Sequence, residues 1–556
     1  LVFPNIVRGS VWTVCLLGSL GLAGSLFDLP IDDSITASGI DALRLQHPPY
    51  NLTGRKIAIG QIEVGRPGKF GVDKAASEQR SIKVMRVFYR DQSARLNRNV
   101  DAHAFAVAGV MVSGAKALPG IAPQARLYAS AAGAARGNGQ PEACLAAQHL
   151  AAQNGGDLRA VNISFGESLQ DDPRAEAVLD GHALLTQCID WSARVQNVLY
   201  VVAGNQDKGG IPIPTDNFNG MTIAASMRVK GLFAKVDFSN ISDPAAPFVS
   251  RIVGKETNVG SRRSISLIAP GNQISLLKLD NSIFRQSGTS FAAPHVTATV
   301  ALLQEWGDST IRQALRDRSL SQKKVPWTVS ARRHEVMKAV LINSAEKIKD
   351  QGDGLALGMS RTIVNKTNQT WLESEAYRSR QVPLDLQMGA GQLNAYRAFQ
   401  QFSPGQWSAE APVPAIGWDY HTVSLGQDHS QAPAYQDYVL EQPLQQGGYV
   451  AASLVWDRQV DLVDANRNGE YDAGESFRDR GLRDLNLYLM RAEDTDTAKS
   501  IWSSESQVDS VEHIFHLIPE TGRYKIRVTL RQHTSAREEQ SQPYAIAWWT
   551  VPARTE

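Results

Sequence analysis

The sequence predicts an α/β protein, a mostly parallel sheet flanked by helices, followed by a smaller antiparallel β-sandwich. Three observations carry this. From Lys56 onward, short β-branched apolar runs alternate with segments of helical period, the pattern of a parallel sheet covered on both faces. After Gly417 strands recur at short intervals with no helices between them, as in a sandwich. Between the two, residues 403–417 are rich in Pro, Ala and Ser and read as a linker.

In chain order, residues 1–27 place Arg8 ahead of an apolar run over 11–27, with Ala23-Gly24-Ser25 near its end. This is the composition of a secretory signal peptide. An uncleaved anchor is the alternative, although a bilayer span takes about 20 apolar residues. Residues 28–50 form a polar, Pro-containing lead-in. The first domain is expected over 51–402. Its buried strands include Lys56-Ile57-Ala58-Ile59-Gly60, 157–163 and Val198-Leu199-Tyr200-Val201-Val202. Helices are expected over 176–196, 306–324 and 333–349, with a polar surface excursion over 350–379. Active sites of such sheets lie at the carboxyl ends of the strands. In the second domain, 418–553, strands are expected over 421–425, 436–440, 448–456, 485–490, 513–517, 524–530 and 545–551.

Charge excludes some functions. The 57 Lys and Arg nearly cancel the 56 Asp and Glu, and no basic stripe or tail offers a nucleic-acid footprint. No membrane partner is expected unless the N-terminal run stays uncleaved, and a monomer is the expected state. Of the three cysteines, Cys15 lies in the N-terminal run, and Cys144 and Cys188 lie in helical segments. They read as two unpaired buried thiols, with a disulfide open to them if the chain is exported.

The strongest chemical signal is Gly288-Thr289-Ser290-Phe291-Ala292-Ala293-Pro294-His295-Val296. It sets one serine between a tight turn and a run of small residues able to open a helix. There the hydroxyl is exposed, the serine's own N–H points into the same site, and the helix dipole favours developing negative charge. That is a nucleophile and half an oxyanion hole. The nonapeptide resembles the nucleophile motif of the subtilisin-like serine proteases.

The resemblance extends along the chain. His103-Ala104-Phe105-Ala106-Val107-Ala108-Gly109 is similar to the family's His-Gly-Thr-His-Val-Ala-Gly helix start, and Gly120-Ile121-Ala122-Pro123-Gln124-Ala125-Arg126-Leu127 to the turn and strand after it. His103 is thereby the expected base. Family members carry Asp-Ser/Thr-Gly after the first buried strand; here Glu63-Val64-Gly65 stands there. Either carboxylate can accept the imidazole N–H and stabilise imidazolium. Asp73, in a Gly-Lys-rich loop, is the alternative acid. Val201-Val202-Ala203-Gly204-Asn205 resembles the family's Ala-Gly-Asn turn, which makes the Asn205 amide the second oxyanion donor. Asn162-Ile163-Ser164-Phe165-Gly166 resembles the strand that pairs with an extended peptide. Ser164, Phe165, Gly166 and Gly204 are the expected substrate contacts, and Glu167 would bias the adjoining pocket toward basic groups. Val236-Asp237-Phe238-Ser239-Asn240, Ile268-Ala269-Pro270-Gly271 and Val340-Leu341-Ile342-Asn343-Ser344-Ala345 resemble scaffold segments of the family.

The resemblance implies a secreted, periplasmic or cell-surface serine endopeptidase acting on polypeptides through Glu63, His103 and Ser290, with no cofactor for catalysis. A weak or inactive subtilisin-like binding protein is the alternative, on account of Glu63 and the altered His103 motif. A lipase-like esterase is disfavoured, because no Gly-x-Ser-x-Gly elbow surrounds Ser290.

The second domain carries Asp464-Ala465-Asn466-Arg467-Asn468-Gly469-Glu470-Tyr471-Asp472-Ala473-Gly474-Glu475. It fits the Asp-x-Asn-x-Asn-Gly-x₅-Glu calcium loop at every defined position. Asp464, Asn466, Asn468, Glu470, Asp472 and Glu475 are the expected ligands of a structural Ca²⁺ in a loop between strands; an acidic hairpin without metal is the alternative. Residues 482–489 are similar to strands of jelly-roll modules appended to secreted subtilisin-like proteases.

Overall fold

The structure, a computed structural model, describes residues 33–36, 39–133, 137–204, 213–229, 232–237, 262–317, 327–424, 435–531 and 541–554. The N-terminal segment 1–27 and Asn205 lie outside the described residues, as do Phe238, Ser239 and Asn240.

The strand β1 (Ala58–Glu63) sits in the interior of the sheet, and all six of its side chains are buried. Side chains alternate along a strand, so Ile57 and Ile59 enter one core while Ala58 and Ile62 enter another. The chain continues through β2 (Val84–Tyr89), α1 (Ala102–Val112), β3 (Arg126–Ala131), α2 (Gln140–Ala151) and β4 (Leu158–Ile163). It goes on with α3 (Leu184–Gln196), β5 (Leu199–Ala203), β6 (Met221–Val229), β7 (Leu232–Val236) and β8 (Ile265–Pro270). Then come α4 (Thr289–Asp317), α5 (His334–Ser344) and α6 (Ala395–Phe402).

The sheet runs β7–β6–β5–β4–β1–β3–β2, with β8 beside β6 and short strands Ile363–Val364 and Gln92–Ser93 at its ends. All pairs from β2 to β6, and β6 with β8, are parallel; β7 is antiparallel to β6. Residues of α1, α4 and α5 fill the core on the Ile59 face, and residues of α2 and α3 fill the other.

Three helices differ from expectation. α3 begins at Leu184, not near 176, because Gly181 adopts φ +83° and Arg174 holds Asp172 and Asp180 in a loop. The segment beginning at 306 is the far end of α4, one continuous helix from the Ser290 motif. α5 stops at Ser344, since Ala345 turns extended and Glu346 pairs with Gln392.

Cys144 and Cys188 are joined in a disulfide between α2 and α3, which corrects the expectation of two separate thiols. Their proximity depends on how two helices 44 positions apart pack, and no local pattern encodes that.

The C-terminal part holds β9 (Ile416–Ser424), β10 (Tyr435–Val439), β11 (Tyr449–Val455), β12 (Gln459–Val463) and β13 (Ser476–Gly481). After them come β14 (Leu485–Arg491), β15 (Trp502–Ser504), β16 (Val511–Leu517), β17 (Tyr524–Leu530) and β18 (Ser541–Trp549). Two four-stranded antiparallel sheets, β9–β18–β11–β16 and β10–β17–β14–β15, enclose a core that contains Tyr438, Trp456, Tyr544 and Trp548.

From residue 32 onward the chain forms one compact unit. Ser453 Oγ donates to Asn343 Oδ1 of α5 at 3.0 Å, and Gln401 Nε2 of α6 to Trp548 O at 3.0 Å. Arg458 and Asp190 form a buried ion pair at 2.6 Å. His334 sits between Glu335 (3.1 Å) and Asp457 (3.1 Å); burial lowers its pKa, but the two carboxylates outweigh that and hold it above the ordinary imidazole value. The β12–β13 hairpin reaches furthest. Val460 and Tyr471 enter the same core as Cys144 and Cys188, and the Tyr471 N–H and C=O pair with the Gln148 side chain at 2.6 and 2.5 Å.

Candidate active site

Glu63 is the last residue of β1 and leaves the sheet on the α1 face. α1 opens beside it because Asp101 is an N-cap: its backbone is extended and its Oδ1 accepts from Ala104 N at 2.8 Å. His103 therefore lies in the first turn, with Nδ1 at 3.3 Å from Glu63 Oε2. The Glu63 side chain is 3% exposed and that of His103 30%. Burial lowers the His103 pKa, but the charge and hydrogen bond of Glu63, with Asp101 adding, leave it raised.

The chain between these two residues is braced. A Cβ at Gly65 would come within 2.3 Å of Asp101 Cβ, so only glycine permits this approach. Arg66 N donates to Asn99 O (2.7 Å) and Asp101 N to Arg66 O (2.9 Å). The Arg66 guanidinium grips Asp73 with two bonds, 2.6 and 2.8 Å, and neither side chain is exposed. Asp73 also accepts from Lys69 N and Asn97 N. Asp73 thus holds the loop, and the alternative in which it orients His103 is excluded by this pairing. Asp73→Ala leaves the guanidinium buried and unpaired, and is expected to destabilise the fold by about 3–5 kcal/mol, read as a drop in the denaturation midpoint.

Ser290 occupies the first turn of α4. Pro294 has no N–H to give to the carbonyl four residues back, which leaves Ser290 O open. Ser164 Oγ donates to it at 2.9 Å, and Asn162 Nδ2 donates to Ser164 Oγ at 2.8 Å. The helix start is thereby tied to the end of β4. The Ser290 hydroxyl donates to Ser164 O at 3.3 Å, and the His103 ring lies 5.5 Å from that of Phe291. Thr289 Oγ1 donates to Gly204 O at 3.0 Å, and Gly204 N to Ile223 O at 2.7 Å, so the residue before Asn205 is fixed beside the residue before Ser290.

Ser164 and Phe165 are buried and Gly166 is half-buried. Glu167 exchanges backbone hydrogen bonds with Ile213, and its carboxylate fills the space where a Gly139 side chain would be. Burial, opposed by the Gly139 N–H and reinforced by Asp171 and Glu142, pushes the Glu167 pKa up to about 7.

The loop 464–475 joins β12 to β13. Asp464 accepts from Arg467 N (2.5 Å) and Gly469 N (2.8 Å), and Asn466 from Asn468 N (3.0 Å). Glu475 closes the loop on Ala465 N (2.7 Å) and Asp472 N (3.0 Å). Asn466 and Asn468 donate to Asp472, and Asn468 Oδ1 accepts from Glu470 N. Gly469 adopts φ +79° at the sharp turn. The side chains offer an all-oxygen donor set, which suits a hard cation. Among the described residues, however, the His, Cys, Asp and Glu ligand atoms that converge within 4.8 Å belong to His334, Glu335 and Asp457. There His334 Nε2 meets Asp457 at 3.1 Å, while Nδ1 lies near both Glu335 (3.1 Å) and Asn197 Oδ1 (3.2 Å).

Residues 32–360 match the subtilase family, Peptidase_S8. Subtilisin Savinase of Lederbergia lenta is 27% identical over 207 residues, 36% of this chain and 63% of that protein. An alkaline protease of Alkalihalobacillus alcalophilus is 27% identical over 207 residues, covering 36% of this chain and 45% of that one. The matched region is thus less than two thirds of either relative. Among solved structures, the MycP3 protease from the type VII (ESX-3) secretion system is similar at TM-score 0.39 and 15% identity, over 67% of this chain and 90% of that one. With more than half its length matched to the family, and a serine-bearing helix start beside a carboxylate–imidazole pair, the chain belongs to the subtilases.

Proposed function

We propose that the protein is an exported serine endopeptidase that cleaves polypeptides through Glu63, His103 and Ser290. The observation that carries this reading is the 3.3 Å contact between Glu63 Oε2 and His103 Nδ1, beside a serine at the start of α4. Ser290 Oγ attacks the scissile carbonyl as His103 Nε2 takes its proton, and Glu63 holds the ring and stabilises the imidazolium. The Ser290 N–H and the Asn205 amide receive the oxyanion. His103 then protonates the leaving amine, and water activated by the same ring hydrolyses the acyl-enzyme. The segment Ser164-Phe165-Gly166 pairs with the peptide backbone. Export is supported by the Cys144–Cys188 disulfide, a bond that persists in oxidising compartments.

A fluorophosphonate probe tests the reading. Labelling of the parent and not of Ser290→Ala is the expected result. A folded parent that takes no label would instead be a binding protein on a subtilase scaffold.

Calcium is the proposed occupant of loop 464–475, held by Asp464, Asn466, Asn468, Glu470, Asp472 and Glu475, with a structural role only. Because Tyr471 of this loop is seated in the core beneath α2 and α3, the ion would steady the peptidase part as well. Chelation is expected to lower stability by about 3 kcal/mol where free calcium had stood near 100 times its Kd. Asp464→Ala should remove that dependence. A thermal midpoint indifferent to chelator rules the ion out.

A further inference from the structure

Glutamate brings to the end of β1 one more rotatable bond than aspartate would, and a neighbouring side chain takes up that freedom. Gln61 lies two residues before Glu63 on the same strand, so both side chains leave the same face of the sheet toward α1. Gln61 is fully buried. Its Nε2 donates to Ala104 O at 2.8 Å and makes a longer contact, 3.5 Å, with Glu63 Oε1. The other carboxylate oxygen, Oε2, is the one that faces His103. Ala104 follows His103 in the first turn of α1. One amide therefore spans the turn that carries the base and the carboxylate that orients it.

The amide's own oxygen argues against simple packing. Gln61 Oε1 is buried and has no hydrogen-bond partner among the described residues. An unmade hydrogen bond in the interior is unfavourable, and an apolar side chain of the same length would avoid it. Turning the amide over offers no relief, because Oε1 would then meet Ala104 O and Glu63 Oε1.

We infer that Gln61 is a positioning residue for the proposed triad: its amide fixes the Glu63 carboxylate so that one oxygen stays on His103 Nδ1, supplying by hydrogen bonding the order that the longer side chain lacks. This rests on the catalytic reading above. It acts through Glu63 and makes no contact with substrate.

The test compares the full-length parent with Gln61→Met, which keeps length and removes the donor, and with Gln61→Leu should the first fold poorly. Loss of one charge-assisted contact is expected to lower kcat about tenfold, with KM unchanged and the thermal midpoint equal to or above that of the parent. In a Glu63→Ala background the same substitution should leave kcat unaltered. A structural role would instead lower the midpoint in both backgrounds. NMR titration of His103 supplies a readout that needs no turnover: the midpoint should fall in Gln61→Met, because the carboxylate that holds it up is released. An unchanged kcat in an active protein, or an unchanged His103 midpoint, overturns the role of Gln61. A parent that takes no fluorophosphonate defeats the peptidase reading separately, and the titration still decides on Gln61.

Discussion

Ser290→Ala is expected to lower kcat about 10⁶-fold, the scale on which removal of a triad serine acts in this kind of enzyme, without loosening the fold. The contacts that seat the α4 start do not use its hydroxyl as acceptor or strut. Ser164 Oγ bonds the Ser290 carbonyl, and Thr289 bonds Gly204 O. Both survive the substitution. What disappears is one long hydrogen bond to Ser164 O and, with it, the hydroxyl proposed as the nucleophile. Hydrolysis of a fluorogenic peptide, followed beside thermal unfolding, separates the two quantities. A Ser290→Ala protein that kept the parent's rate would remove Ser290 from the chemistry altogether.

Glu63→Gln should cost about 10⁴-fold in kcat, as an amide in place of a triad carboxylate favours the wrong imidazole tautomer. The pH profile gives a second signature with the opposite apparent sense. The base must be neutral to act, so the acid limb of kcat/KM reports the His103 titration in the free enzyme. Burial pulls that titration down, and Glu63 more than restores it. Once Glu63 is neutral, burial prevails and the limb moves to lower pH. The variant is therefore slower at every pH, yet retains its own residual rate further into acid. A limb that stayed in place, or moved to higher pH, would show that Glu63 does not set the His103 charge.

Much of this arrangement was legible because the informative residues are local. A buried strand ending in Glu63-Val64-Gly65, a histidine ahead of the small apolar run 104–109, and a small-residue helix start at Ser290 each announce themselves within a few positions. The parallel sheet and the later run of antiparallel strands followed from periodicity for the same reason. What escaped depends on distant partners. Asp73 looked like a spare acid until Arg66 was seen to enclose it. For Cys144 and Cys188 a disulfide was open but not the favoured reading, because the geometry between α2 and α3 is tertiary. Gln61 carried no signal, since a lone polar residue in an apolar strand acquires meaning only from what lies across from it. The β12–β13 hairpin was hidden by its polar composition, and its few apolar residues face the other part of the molecule.

That hairpin bears on how the chain is made. When synthesis has delivered the sheet, the helices and Ser290, the layer over α2 and α3 still lacks Val460 and Tyr471, and Asp190 still lacks the Arg458 that neutralises it in the interior. A buried carboxylate without its cation is strongly unfavourable. The interior of the first part is therefore completed by residues that the second part supplies. A product terminated before the β12–β13 hairpin lacks the apolar residues that complete this layer and the cation that pairs with Asp190.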